Sequence, residues 1–139
     1  MKPLRQILIL ALASSAGLMS CKKDTASPEA DGLIGTWKLV RRDCYCVRGP
    51  VPDETIIFTA RDFSIYRNGQ LDASGTYGNT TAPVVCGSTN RVPVLQLAAT
   101  QGYTLLAESA ITDNSLVLNY NANGGGCLSD APVDTYERQ

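Results

Sequence analysis

Few residues in this 139-residue chain could carry out chemistry, because the sequence contains no histidine. Histidine is the side chain used most often as a general base, and it is the commonest metal ligand. The serine and cysteine side chains therefore lack their usual activating base, and no Ser-x-x-Lys motif replaces it. We expect that the protein is not an enzyme.

Two short motifs could hold an ion, but each has a simpler explanation. Gly124-Gly125-Gly126 lacks the Lys and the Ser/Thr that follow the glycines of a phosphate-binding loop. Asp113-Asn114 offers fewer oxygen ligands than the roughly six to eight that calcium takes, and it is typical of a hairpin turn. We therefore expect no metal ion and no cofactor.

The N-terminus reads as an export signal. Lys2 and Arg5 precede an apolar run over residues 7–13, which is too short to span a bilayer as a mature helix. The following Leu18-Met19-Ser20-Cys21 resembles a bacterial lipobox, which implies that residues 1–20 are removed and that Cys21 is acylated, with palmitate or a similar chain. We expect residues 21–31 to form a flexible tether to the membrane.

The residues just after Cys21 give a weaker indication of location. Lys22-Lys23-Asp24 resembles the sorting context of lipoproteins that reach the bacterial outer membrane, facing either the periplasm or the exterior. A solvated linker has the same composition. Without residues 1–20, the chain keeps 10 Lys and Arg against 13 Asp and Glu. This slightly acidic balance argues against nucleic acid as a partner.

The mature chain reads as a series of short strands with turn residues between them. Residues 68–69 are Asn-Gly, a strong signal for a two-residue hairpin. No segment has a sustained helical period. The pattern predicts an all-β domain over residues 32–139, either an antiparallel up-and-down barrel or a sandwich. The predicted strands cover residues 33–43, 54–60, 62–68, 70–78, 92–99, 102–109, 115–121 and 133–138.

Three short motifs give the domain a family resemblance. Gly35-x-Trp37 lies on the first strand, Ser74-Gly75-Thr76-Tyr77 on the fourth, and Thr135-Tyr136-Glu137-Arg138 on the last. Together they resemble the lipocalin-like domains of bacterial lipoproteins. The resemblance implies a single up-and-down barrel of about eight strands. It also implies that Arg138 packs over Trp37 as a structural cation–π pair.

Alternation along the strands predicts which side chains face the barrel interior. For a ligand cavity we expect a lining that includes Phe58, Phe63, Leu95 and Tyr103. The inward set as a whole is Trp37, Leu39, Ile56, Phe58, Phe63, Ile65, Leu71, Tyr77, Leu95, Leu97, Tyr103, Leu105, Leu116, Leu118 and Tyr136.

One polar cluster also follows from the alternation. Arg41, Arg67 and Tyr120 lie late in odd-numbered strands and share the inward parity, so we expect them to ring one mouth of the barrel from inside. Glu54 and Asp134 should face inward at the same end. Two guanidinium groups there could bind an anionic head group. Alternatively, Arg41 pairs with Glu54, Arg67 pairs with another carboxylate, and the cluster only caps the core.

Beyond Cys21 there are four cysteines, and an even number in an exported chain predicts disulfide bonds. A four-thiolate zinc site is the alternative, but it usually needs two close pairs of cysteines. The first and last strands of a closed barrel are neighbours, so Cys127 should bond Cys44 or Cys46. We prefer Cys44–Cys127 with Cys46–Cys86.

Two functions of different kinds fit these expectations. The first is an envelope lipoprotein, anchored to a membrane through Cys21, whose barrel binds a small, mostly apolar and possibly anionic ligand. The second is a non-catalytic surface or structural module with a filled core and an unidentified protein partner. A large cavity would favour the first function, and a filled interior would favour the second.

Overall fold

The computed structural model of the chain describes residues 32–44, 49–84, 88–120 and 131–139. The predicted signal peptide, Cys21, the tether, Cys46, Cys86 and Cys127 lie outside these residues. The described strands form one closed antiparallel barrel in which each strand pairs with its sequence neighbours and β8 pairs with β1. The predicted eight-stranded up-and-down barrel is therefore confirmed. The strands are β1 Gly35–Asp43, β2 Glu54–Phe58, β3 Asp62–Arg67, β4 Gln70–Pro83, β5 Arg91–Ala99, β6 Thr104–Ile111, β7 Ser115–Asn119 and β8 Val133–Arg138.

The barrel interior is filled by large apolar side chains. Trp37 is completely buried, and Phe58, Phe63 and Tyr136 are nearly so. Alternation predicted most of this core correctly, because strands that present one face to an interior bury every second residue. The core cluster consists of Leu33, Trp37, Leu39, Ile56, Phe58, Phe63, Ile65, Ala73, Leu95, Leu97, Ala99, Ala107, Leu116, Leu118 and Tyr136. In the described part of the chain, no helix is long and apolar enough to cross a membrane.

A β-bulge at Val40 changes the facing of the end of β1. Leu39 pairs with Tyr136, but Arg41 pairs with Thr135, so β1 contains one more residue than β8 between these pairs. A bulge of this kind reverses the alternation beyond it. Arg42 therefore takes the inward direction that strict alternation assigned to Arg41.

A second bulge at Asp72 has the same effect on β4. Ile65 pairs with Ala73, whereas Tyr66 pairs with Leu71. Leu71 was predicted to face inward but is 57% exposed, so that prediction is wrong. The buried residue on this face of β4 is Ala73.

Strands β4 and β5 extend beyond the barrel wall. β4 pairs with β3 as far as Thr76, but its pairing with β5 continues to Pro83. The sequence placed the end of this strand at residue 78. Within the described residues, the pairing of β5 with β6 is limited to Leu95–Ala98. The two strands therefore separate at the end of the barrel where β6 finishes.

Candidate functional site

The two ends of the barrel differ in chemistry. We call one end the charged mouth, formed by Arg42, Glu54, Arg67, Asp72, Asp134 and Tyr136. We call the opposite end the cleft, whose lining includes Leu33, Tyr77, Asn79, Leu95, Ser109, Ile111, Asp113 and Arg138. The charged mouth lies at the end of β1 and the start of β8, and the cleft lies where β5 and β6 separate.

Arg42 is the centre of the charged mouth. Its Nε donates to Asp134 Oδ1 at 2.7 Å and its Nη2 to Asp134 Oδ2 at 2.6 Å, a bidentate pair. The same Nη2 lies 3.5 Å from Glu54 Oε1. Both carboxylates are only 2% exposed. Because a buried carboxylate needs compensation, the bidentate pair with Arg42 is what permits the burial of Asp134.

Glu54 connects the two arginines of the mouth. Arg67 Nε donates to Glu54 Oε2 at 2.8 Å, and the Tyr136 hydroxyl donates to Glu54 Oε1 at 2.7 Å. Arg67 also forms an ion pair with Asp72 at 2.9 Å. Among the described residues, no buried side-chain nitrogen or oxygen lacks a hydrogen-bond partner.

The pKa shifts of the mouth reflect this network. Burial acts to raise the pKa of Glu54, but the hydrogen bonds from Tyr136 and Arg67 outweigh it, and its pKa is lowered. Burial raises the pKa of Asp134, with the hydrogen bonds from Arg42 acting against that shift. The hydrogen bond to Asp134 raises the pKa of Arg42. Glu54 and Arg42 are therefore held in their charged forms.

The prediction that two arginines face inward at this mouth is wrong for Arg41. Arg41 points away from the interior, with 66% of its side chain exposed, and pairs with Asp43 at 2.9 Å. The reason is the bulge at Val40. Arg67 does lie at this mouth, and Tyr120 packs against the core beside it. Burial raises the pKa of Tyr120, and the nearby Asp134 adds to the shift.

The alternative prediction for this end is closer to the structure. Arg42, in place of Arg41, pairs with Glu54, and Arg67 pairs with carboxylates as well. Glu54 and Asp134 face inward as predicted. With both guanidinium groups paired to carboxylates, this end closes the core, and the positive charge of each arginine is already compensated.

The cleft at the other end has a volume of about 590 Å³. Its wall contains apolar side chains from several elements: Leu33 before β1, Tyr77 on β4, Leu95 on β5 and Ile111 on β6. Its polar side chains are those of Asn79, Ser109, Thr112, Asp113 and Arg138. A cavity of this size with an apolar wall and a few polar groups is typical of small-molecule sites.

Arg138 fixes the edge of the cleft. Its guanidinium carbon lies 4.2 Å from the centre of the Trp37 ring, so the predicted cation–π contact is present. Its three nitrogens donate to backbone carbonyls: Nε to Asp113 at 3.0 Å, Nη1 to Ile34 at 3.0 Å and Nη2 to Gly32 at 2.7 Å. Arg138 thus ties the segment before β1 to the turn between β6 and β7.

Gly35 permits this arrangement. Its φ of +146° lies in a region that side chains other than glycine rarely adopt, and a Cβ there would lie 2.8 Å from Arg138 Nη1. The Trp37 indole nitrogen donates to the Leu33 carbonyl at 2.8 Å. The Gly-x-Trp motif therefore has a local physical function, since the glycine makes room for the arginine that covers the tryptophan.

Only one of the four residues predicted to line a cavity lies at the cleft. Leu95 does. Phe58 and Phe63 are buried in the filled core, and Phe58 packs edge-on against Tyr77 at 5.1 Å between ring centres. Tyr103 precedes β6 at the end of the barrel that carries the charged mouth. Its side chain is 42% exposed, so the prediction that it faces inward is wrong. Strand alternation cannot show where two strands separate, so the cleft residues were missed.

The cysteines add one observation. Cys44, directly after β1, is disulfide-bonded. Cys46, Cys86 and Cys127 lie outside the described residues. The preferred pairing of Cys44 with Cys127 therefore stays a prediction. The described residues contain no cluster of three or more Cys, Asp or Glu side chains that could hold a metal ion.

Comparison with known proteins gives no family. No model of a known protein family matches the chain, and no match was found among curated proteins or solved structures.

Proposed function

We propose that this protein is a lipid-anchored, non-catalytic protein of the bacterial envelope whose lipocalin-like barrel binds a small, mostly apolar ligand in the cleft. The observation that carries the proposal is the cleft of about 590 Å³, with Leu33, Tyr77, Leu95 and Ile111 on its wall. The charged mouth supports this choice of end, because its arginines are already paired.

The size of the cleft limits the ligand. If each non-hydrogen atom takes about 30 Å³, as a water molecule does in the liquid, the cleft has room for about twenty such atoms of a ligand. Trp37, the single tryptophan of the sequence, lies beneath the cleft. Its indole nitrogen donates a hydrogen bond to the backbone carbonyl of Leu33, which lines the cleft. Its fluorescence is therefore a built-in reporter of binding.

The alternative is a surface or structural module without a small ligand. The filled core and the closed charged mouth favour this alternative. It predicts that apolar probes do not bind the barrel in a saturable way.

Filling the cleft is expected to abolish ligand binding. Asn79 lies on the same face of β4 as Tyr77 and is exposed, so Asn79→Phe places an aromatic ring at the cleft without disturbing the core. We expect the unmodified chain to bind the neutral dye N-phenyl-1-naphthylamine with 1:1 stoichiometry, and Asn79→Phe to weaken binding at least about tenfold, since the contact area is lost. Dye fluorescence and Trp37 emission measure the affinity.

A matched control is available at the other end of the barrel. Thr104 is an exposed strand residue at the start of β6, and Thr104→Phe should leave binding unchanged. Equal affinity of the unmodified chain and Asn79→Phe would contradict binding in the cleft. Absence of saturable dye binding to the unmodified chain would favour the alternative function.

The membrane anchor has its own test. Cys21→Ser removes the acceptor of the acyl chains, so we expect the protein to move from the membrane fraction to the soluble fraction of cells. Ser27→Ala, a change within the predicted tether, should leave the protein with the membranes. Fractionation followed by immunoblotting gives the distribution. A Cys21→Ser variant that stays in the membrane fraction would overturn the lipobox interpretation.

A further inference from the structure

From the polar groups of the cleft, we infer that its ligand carries a protonated amine on an apolar body, and not a carboxylate or a phosphate. This inference rests on the proposed function and assigns the chemical class of the ligand. It replaces the anionic head group that the sequence suggested for the opposite end of the barrel.

The first argument concerns Arg138, the cation that lines the cleft. An arginine binds a carboxylate through two parallel N–H groups of its fork. Here each of the three guanidinium nitrogens already donates to a backbone carbonyl, at 2.7 to 3.0 Å. The face of the group packs on Trp37. Three of its five N–H groups are thereby committed to holding the fold together, and because Nε is one of them, Arg138 cannot offer an anion the fork formed by Nε and an Nη.

The second argument concerns the groups that are available. Asp113 lines the cleft and is exposed, and its carboxylate has no ion pair among the described residues. The Asp113 carboxylate does not pair with Arg138, whose Nε donates to the Asp113 backbone carbonyl instead. The Asn79 amide and the Ser109 hydroxyl can each donate or accept, so both can accept a hydrogen bond from an ammonium group that Asp113 attracts. Acceptors of this kind match a ligand that supplies N–H donors and a positive charge.

The third argument concerns the apolar wall. Leu33, Leu95 and Ile111 can cover the hydrocarbon chain of the ligand. Asp113 and Asn79 can then contact its ammonium group. The ammonium group then stays at the exposed rim, where it keeps part of its hydration and avoids the full cost of burying a charge.

Three probes with the same ten-carbon chain test the inference: decylamine, decanol and decanoate. At pH 7 an alkylamine is protonated and a carboxylic acid is ionised. Isothermal titration calorimetry is carried out at low ionic strength on the complete mature chain bearing Cys21→Ser, which needs no detergent. Because Asp113 is exposed, we expect decylamine to bind about three- to fivefold more tightly than decanol, and decanoate less tightly than decanol.

Variants locate the effect. Asp113→Asn should remove the preference for decylamine over decanol. Glu137→Gln, which removes an exposed carboxylate of β8, is the matched control and should keep the preference. Asn79→Phe should weaken all three probes, and the preference should shrink as salt is added.

The outcomes separate the inference from the proposed function. The inference is overturned if decanoate binds at least as tightly as decanol or if decylamine has no advantage. It is also overturned if Asp113→Asn keeps the full preference for the amine. In each of these cases, a cleft that still binds decanol supports the proposed function. If none of the three probes binds the unmodified chain, the proposed function fails and the inference fails with it.

Discussion

Arg42→Ala is expected to lower the free energy of unfolding by about 3–5 kcal/mol, because it leaves the buried carboxylate of Asp134 without its bidentate partner and takes one of two positive charges away from Glu54. The same change at the neighbouring Arg41 should cost less than about 1 kcal/mol, since Arg41 is exposed and its ion pair with Asp43 is on the surface. Two adjacent arginines thus differ several-fold in their effect on stability.

Urea unfolding followed by Trp37 fluorescence measures both variants. If Arg42→Ala does not fold, Arg42→Lys provides the comparison, because it keeps the charge but loses the fork that grips both oxygens of Asp134. We expect Arg42→Lys to be less stable than the unmodified chain and more stable than Arg42→Ala. If Arg41→Ala were the more damaging change, the bulge at Val40 would be wrong.

Gly75→Ala is expected to destabilise the barrel by about 3 kcal/mol. A Cβ at this position would lie 1.9 Å from the Ala98 carbonyl oxygen and 2.9 Å from the Ala99 Cα. Both contacts involve backbone atoms of β5, so they cannot be relieved by a side-chain rotation, and the paired strands β4 and β5 would have to move apart. Gly75 therefore allows the close approach of the two strands.

Gly78, three residues further along β4, is the matched control. A Cβ there meets no atom within 4 Å. Gly78→Ala should leave stability unchanged or raise it by up to about 1 kcal/mol, because glycine is unfavourable within a strand. Thermal unfolding of the three proteins gives the comparison. Equal Tm values for Gly75→Ala and Gly78→Ala would contradict the close approach.

Under the proposed function, one end of the barrel contributes stability and the other end binds the ligand. The charged mouth commits its arginines to buried carboxylates, and the core beneath it is filled. At the opposite end β5 leaves β6, and the cleft occupies the space that a continuous sheet would have closed. A ligand site at that end is therefore compatible with a tightly packed core.

The sequence by itself determined the fold class and most of the core. Eight apolar alternating segments with turn residues between them, including Asn68-Gly69, are local signals that predict strands and hairpins directly. The contact of Arg138 with Trp37 could also be predicted, because closure of an up-and-down barrel makes the first and last strands neighbours and brings Trp37 opposite Arg138.

Only the tertiary structure decided which arginine faces inward and where the cleft lies. The bulges at Val40 and Asp72 arise from pairing with another strand, and one extra residue reverses the facing of all that follow. For this reason Arg42 replaced Arg41 and Leu71 became exposed. The separation of β5 from β6 is likewise a property of pairing between strands. Alternation within β5 placed Leu95 facing inward, but it could not show that the cleft lies at this end of the barrel.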